Sequence, residues 1–133
     1  MTTTNGTTMR SVSSSIRVVN KRTHKGEGVY IGRPSVLGNP FSHLSGTLAD
    51  FKVDTRDEAI DLYREWLIDH IQADTPQRRE LYRLVEIYER TGSLTLICCC
   101  APKRCHGQVI AEVIENIIVR RQRNTSHEHA TNH

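Results

Sequence analysis

The sequence predicts a single small α/β domain, and three observations lead to this prediction. The chain has 133 residues, a length typical of one domain. It is 37% apolar and 25% charged, which indicates a globular protein with a modest core. Segments of strand character alternate with segments of helical period in the order β-β-α-α-β-α. No run of about 18 apolar residues occurs, so no membrane span is expected.

The first two strands are short and lead into a loop of defined shape. Residues 16–20 (IRVVN) alternate and are β-branched, and residues 29–31 (VYI) form a second strand-like segment. Residues 32–41 then contain two glycines and two prolines, which exclude a regular element over their length. A loop with this composition is predicted to be rigid in places and shaped for a ligand.

Two helices follow, and each has a recognisable start. Thr55 and Glu58 have the spacing of a capping box, and the apolar residues after them predict a helix over about 56–72. Pro76 marks the first turn of the next helix, and Gly92 marks its end.

The last strand and helix have the strongest apolar patterns. Residues 94–100 (LTLICCC) are nearly continuously apolar, which predicts a strand buried on both faces. A helix over about 106–122 carries an apolar stripe, and Gly107 in its first turn would let a ligand approach closely. The polar termini, residues 1–15 and 124–133, are predicted to be disordered tails around a domain over residues 16–123.

Charge is segregated along the chain. Residues 17–43 carry five bases and one acid, residues 50–90 carry seven bases and eleven acids, and residues 94–123 carry five bases and two acids. If the strands run parallel, the two basic segments meet at the carboxyl ends of the sheet, where such sheets bind ligands. We therefore expect an anionic small molecule, with negative charge held by Lys21, Arg22 and Arg33. Asn39 would position that ligand by hydrogen bonding.

Four cysteines cluster at positions 98, 99, 100 and 105. A disulfide framework would spread its cysteines, so a reducing, cytoplasmic setting is expected.

Three hypotheses remain open for this segment. Zinc could be bound by thiolates and an imidazole, from the set Cys98, Cys100, Cys105 and His106. Cys105 could be a nucleophile at a helix N-terminus with His106 as acid or base. The cysteines could also be small buried side chains without chemistry.

Four motifs together resemble a known family. They are residues 19–22 (VNKR), 30–34 (YIGRP) and 37–41 (LGNPF), and the pattern Cys-x-Cys-Ala-Pro-x-x-Cys-His-Gly over residues 98–107. In this order they resemble the bacterial and phage family known as domain of unknown function 4326, over about residues 17–118. The resemblance implies a small Rossmann-like sheet of about three or more strands, flanked by three helices, with the motif residues at one pocket. Position 99, often aromatic in that family, is Cys here.

Two functions from different classes follow. The first is an enzyme acting on a nucleotide, nucleoside or other phosphorylated ligand through the basic and Cys/His segments. The alternative is a zinc-stabilised module that binds nucleic acid or a protein partner without catalysis. Its phosphate-contacting edge would consist of Arg104, Arg120, Arg121 and Arg123. A cleft that joins Lys21, Arg33 and Asn39 beside Cys105 would favour the enzyme.

Overall fold

Three helices and two small parallel sheets form the structure, a computed structural model that describes residues 15–42, 51–99 and 103–131, with side chains as far as residue 123. The mixed content confirms the predicted α/β class. The elements are β1 (Ile16–Asn20), β2 (Val29–Tyr30), β3 (Phe41–Ser42), β4 (Phe51–Lys52), α1 (Arg56–His70), α2 (Pro76–Thr91), β5 (Leu94–Cys98) and α3 (His106–Thr131).

The main sheet has the strand order β1-β5-β2, and both pairs are parallel. Asn20 lies opposite Cys98, and Tyr30 lies opposite Ile97. The three carboxyl ends therefore meet at one edge, as expected if the strands run parallel. A second sheet consists of β3 and β4, in which the rings of Phe41 and Phe51 stack with centroids 5.3 Å apart. The sequence did not predict this second pair.

The core lies on one face of the main sheet. Leu94, Leu96 and Cys98 are buried and cluster with apolar side chains of all the helices, whereas Thr95 and Ile97 are only half-buried. The prediction that this strand is buried on both faces was wrong. An apolar run of this length shows that a strand is central, but not how many layers cover it.

The helix starts follow from local sequence. Thr55 Oγ1 accepts a hydrogen bond from the Glu58 backbone N–H at 3.0 Å, which is the N-cap half of the capping box. The Glu58 side chain also reaches back, but it accepts from the N–H of Asp54, one residue before the N-cap, at 3.0 Å. Pro76 begins α2, and Gly92 ends it with φ of 83°. The first helix ends at His70, slightly before the predicted residue 72.

The last helix differs from its prediction in length and in the role of its glycine. It continues to Thr131, through part of the expected tail, because residues 119–131 contain no Gly or Pro to end it. The expected tail at residues 1–14 lies outside the described residues. A Cβ on Gly107 would lie 2.8 Å from Val18 Cγ1 and 3.0 Å from Ile31 Cδ1. This glycine therefore lets the helix pack closely on the sheet, and its neighbours are core side chains.

Candidate functional site

The carboxyl edge of the sheet brings together side chains from all three strand ends. Lys21 Nζ lies 5.2 Å from the centre of the Tyr30 ring, and the Tyr30 hydroxyl lies 3.8 Å from the exposed thiol of Cys99. The same hydroxyl donates to the Arg33 carbonyl at 2.9 Å. Burial, assisted by Cys99, raises the pKa of Tyr30, so its hydroxyl keeps its proton at neutral pH.

Arg22 lies at the same edge but further into solvent. Its backbone N–H donates to Asn20 Oδ1 at 2.8 Å, which fixes the turn after β1. Its side chain is exposed and forms no ion pair with any described residue. Arg22 is therefore next to Lys21 in the chain, but no contact between described residues joins it to Arg33.

Arg33 has the most defined geometry of the predicted cations. Its Nη1 donates to the carbonyls of Asn39 at 2.9 Å and Phe41 at 3.3 Å, and the side chain is half-buried. Within the described parts of the chain it has no carboxylate partner. Two carbonyls thus orient the guanidinium, and no described residue accepts a hydrogen bond from Nε or Nη2.

Asn39 is buried, with 8% of its surface exposed, and both ends of its amide are used within the protein. Nδ2 donates to the Ala59 carbonyl at 3.2 Å, and Oδ1 accepts from the Phe41 N–H at 2.9 Å. The amide therefore joins the loop to α1. Its predicted role as a direct ligand contact stays a prediction.

The two described thiols of the Cys motif meet in the interior. The Cys98 and Cys105 sulfurs are 3.4 Å apart, and both residues are buried. Cys105 directly precedes α3, as the sequence predicts. Cys100, the third predicted metal-ligating cysteine, lies outside the described residues. Within the residues that are described, no group of three or more Cys, His, Asp or Glu side chains is arranged to hold a metal ion.

His106 is buried beside these thiols and contacts the backbone of the loop. Its Nε2 lies 2.6 Å from the Ile31 carbonyl, which can only accept, so the imidazole donates through Nε2. Burial is the main cause that lowers the pKa of His106 to about 4. The hydrogen bond to Ile31 opposes this shift, and the positive charge of Arg33 adds to it. At neutral pH the ring is therefore uncharged.

Tyr63 is a further candidate, which lies outside the four sequence motifs. Its hydroxyl donates to the Leu37 carbonyl at 2.7 Å, and its ring meets the His106 ring edge-on at 5.0 Å. Burial raises the pKa of Tyr63 well above its ordinary value. The one signal in the sequence was the residue type, because a buried Tyr needs a partner for its hydroxyl. We call residues 31–41 the Arg33 loop. Three hydrogen bonds join this loop to the helices: one from Tyr63, one from His106, and one from the loop's own Asn39.

A cleft of about 310 Å³ opens along this loop. Its lining consists of Arg33, Pro34, Ser35, Val36, Gly38, Asn39, Pro40, Trp66 and Gln77. Two of the predicted ligand-binding residues, Arg33 and Asn39, therefore share one cleft. Lys21, Arg22, Cys105 and His106 are not among the lining residues. The prediction that all these residues share one pocket stays a prediction.

Two of the four arginines expected at a nucleic-acid edge are already paired. Arg104 contacts Asp57 at 2.8 Å and Asp61 at 3.5 Å, and Arg121 contacts Glu89 at 2.8 Å. Paired guanidinium groups contribute less to a positive phosphate-binding surface.

No helix in the described part of the chain is long and apolar enough to cross a bilayer.

Comparison with known families assigns most of the chain to one family. Residues 16–116 match the family model described as Domain of unknown function (DUF4326). The chain belongs to this family, which confirms the family assignment predicted from the sequence. No curated protein and no solved structure shows significant similarity to the chain.

Proposed function

We propose that the chain binds a nucleotide, nucleoside phosphate or other phosphorylated small molecule in the cleft along the Arg33 loop. The observation that carries this proposal is the environment of the Arg33 side chain. Arg33 belongs to the lining of the cleft, and its guanidinium is oriented by two carbonyls and has no carboxylate partner among the described residues. A half-buried cation without a counter-charge is stabilised when an anion binds beside it.

The rest of the cleft supports a small-molecule ligand. A volume of about 310 Å³ lies at the lower end of the range of small-molecule pockets, roughly 300–1,000 Å³. The walls combine apolar side chains, which include two prolines and an indole, with the polar side chains of Arg33, Ser35, Asn39 and Gln77, so the lining suits a polar, charged ligand. The loop is held at Ile31, Leu37 and Asn39, so the cation would be positioned before the ligand arrives.

Replacement of Arg33 tests this proposal. Arg33→Gln is expected to lower the affinity for ribose 5-phosphate by roughly 10- to 100-fold, because a charge-assisted contact contributes about 1.5–3 kcal/mol. Isothermal titration calorimetry at low salt measures the effect. Lys25→Gln removes the same charge from an exposed position outside the cleft and should change the affinity by less than about twofold. Equal affinities of wild type and Arg33→Gln, or no binding of any phosphorylated probe, would refute the proposal.

Catalysis by Cys105 and His106 stays a separate prediction. A ligand would have to reach two side chains that are only 3% and 8% exposed and that do not line the cleft. The buried imidazole is nevertheless connected to the cleft, because it holds Ile31 at the start of the Arg33 loop. The geometry therefore favours a positioning role for His106 over direct contact with the bound molecule.

The second candidate function is a zinc-stabilised binding module, and one distance favours it. The thiols of Cys98 and Cys105, 3.4 Å apart, could both reach one metal ion, and Cys100 and His106 would be the further ligands. His106 would have to bind through Nδ1, because Nε2 is used at Ile31. Such a module would bind nucleic acid or a protein partner, and nucleic-acid binding would weaken steeply with salt and survive the loss of Arg33.

Metal analysis decides between these candidates. If the second holds, protein purified under reducing conditions is expected to contain about one zinc per chain, and a chelator should increase the number of thiols that react with Ellman's reagent. Protein without zinc, whose thiol reactivity is the same before and after chelation, would exclude the module. The Arg33→Gln experiment is independent of this result.

A further inference from the structure

We propose that the ligand of this cleft is a nucleoside 5'-monophosphate, with its base against Trp66 and its phosphate at Arg33; this rests on the proposed function of the same cleft. Trp66 and Arg33 both belong to the lining. They combine a flat aromatic surface with a cation in one small volume. A mononucleotide likewise combines a flat base and a phosphate in one small molecule.

The position of Trp66 supports a stacking role. Its indole packs against the core, with ring centroids 4.4 Å from His70 and 5.6 Å from Tyr63, and stays half-buried. These contacts hold the ring in place while part of it lines the cleft. A fixed aromatic wall suits a base, because every base has a π-face that can stack.

Charge limits the ligand to one phosphate group. Arg33 is the only charged side chain among the described residues that line the cleft. A triphosphate would need further cations, or carboxylates that hold Mg²⁺, and these lining residues include neither. The volume of about 310 Å³ likewise suits one nucleotide unit better than a dinucleotide.

Gln77 completes the recognition of the base. Gln77 belongs to the lining of the same cleft, and the only hydrogen bond of its carboxamide to a described residue is a long one, 3.4 Å, from Nε2 to the Val36 carbonyl. An amide that is nearly free can donate to and accept from the edge of a base. Stacking and this edge contact together would distinguish a nucleotide from a simple sugar phosphate.

The sequence contains a single tryptophan, so tryptophan fluorescence reports on Trp66 alone. AMP, GMP, CMP and UMP are titrated into the full chain, with ribose 5-phosphate and adenosine as ligands that lack the base or the phosphate. At least one mononucleotide is expected to quench Trp66 saturably and, by calorimetry, to bind roughly tenfold or more tightly than ribose 5-phosphate. Gln77→Ala should reduce this ratio, whereas Gln72→Ala, an exposed amide outside the cleft, should not.

The outcomes separate the two proposals. Equal affinities for ribose 5-phosphate and all four mononucleotides would overturn base recognition and leave the proposed function intact. No binding of any phosphorylated probe would overturn both. Adenosine binding as tightly as AMP, with no effect of Arg33→Gln, would show a base site without a phosphate site. A Trp66→Leu variant, which lacks the aromatic ring, that keeps the full preference for a mononucleotide over ribose 5-phosphate would also overturn the stacking role.

Discussion

Acidification from pH 7 to pH 4 is expected to destabilise the protein by about 3 kcal/mol through His106 alone. The pKa of His106 is about 4 in the folded protein, against an ordinary value of 6.5. Burial is the main cause, and the nearby charge of Arg33 adds to it. Because Nε2 already donates to Ile31, the added proton would go to Nδ1 in the interior.

The sign of this effect follows from the number of protons bound in each state. Between pH 6.5 and about pH 4 the unfolded chain binds a proton at His106 that the folded chain does not. The contribution of the neutral ring is therefore fully present above pH 6.5 and is lost as the pH falls towards 4. Urea unfolding at several pH values measures this loss as a decrease in the free energy of unfolding.

Other groups also titrate over this range, so a variant must isolate the histidine. His106→Gln keeps a side-chain N–H for the Ile31 carbonyl and does not titrate. Its acid-induced loss of stability should be smaller than that of wild type by about 3 kcal/mol. His70→Gln, at a half-buried position near the end of α1, controls for the loss of a histidine as such. Identical pH profiles for wild type and His106→Gln would contradict the expectation. All measurements include a chelator, so that bound metal does not contribute.

Elements whose signals are local in sequence could be predicted, and the helices are the clearest case. Thr55, Pro76 and Gly92 act within a few residues of the helix ends they define, and each has its expected role. The last helix lacked such a stop signal, and its end was misplaced accordingly. The number of layers on the sheet was also not predictable, because it depends on how distant helices pack.

The site was predictable only in its residue types and its general location. Strand ends and family motifs indicated that residues 20–22, 32–41 and 98–107 come together. The sequence could not show that His106 bonds a residue 75 positions away, or that Tyr63 bonds one 26 positions away. It also could not separate residues that face a ligand from residues that hold the loop. Arg33 belongs to the lining of the cleft and has donors on Nε and Nη2 that no described residue accepts, whereas Asn39, from a neighbouring motif, has both amide ends bonded within the protein.

Asn39 is therefore expected to matter for stability before it matters for binding. Asn39→Ala removes a donor to the Ala59 carbonyl and an acceptor for the Phe41 N–H at a position that is 8% exposed. The Phe41 N–H would be left without its acceptor, whereas the Ala59 carbonyl lies inside α1 and keeps its helical hydrogen bond, so a loss of roughly 1–3 kcal/mol is expected. In thermal unfolding this corresponds to a decrease in the midpoint of roughly 4–12 °C.

Two matched variants test this assignment. Gln72→Ala removes an exposed amide that bonds only the Ile68 carbonyl, and it should change the free energy of unfolding by less than about 0.5 kcal/mol. Asn39→Asp keeps the acceptor for Phe41 but loses the donor to Ala59 and buries a carboxylate, so it should remain strongly destabilised. If Asn39→Ala were as stable as wild type but bound ribose 5-phosphate more weakly, the amide would be a ligand contact. The proposed structural role of Asn39 predicts the reverse, because a loop that has lost its connection to α1 weakens folding whether or not a ligand is bound.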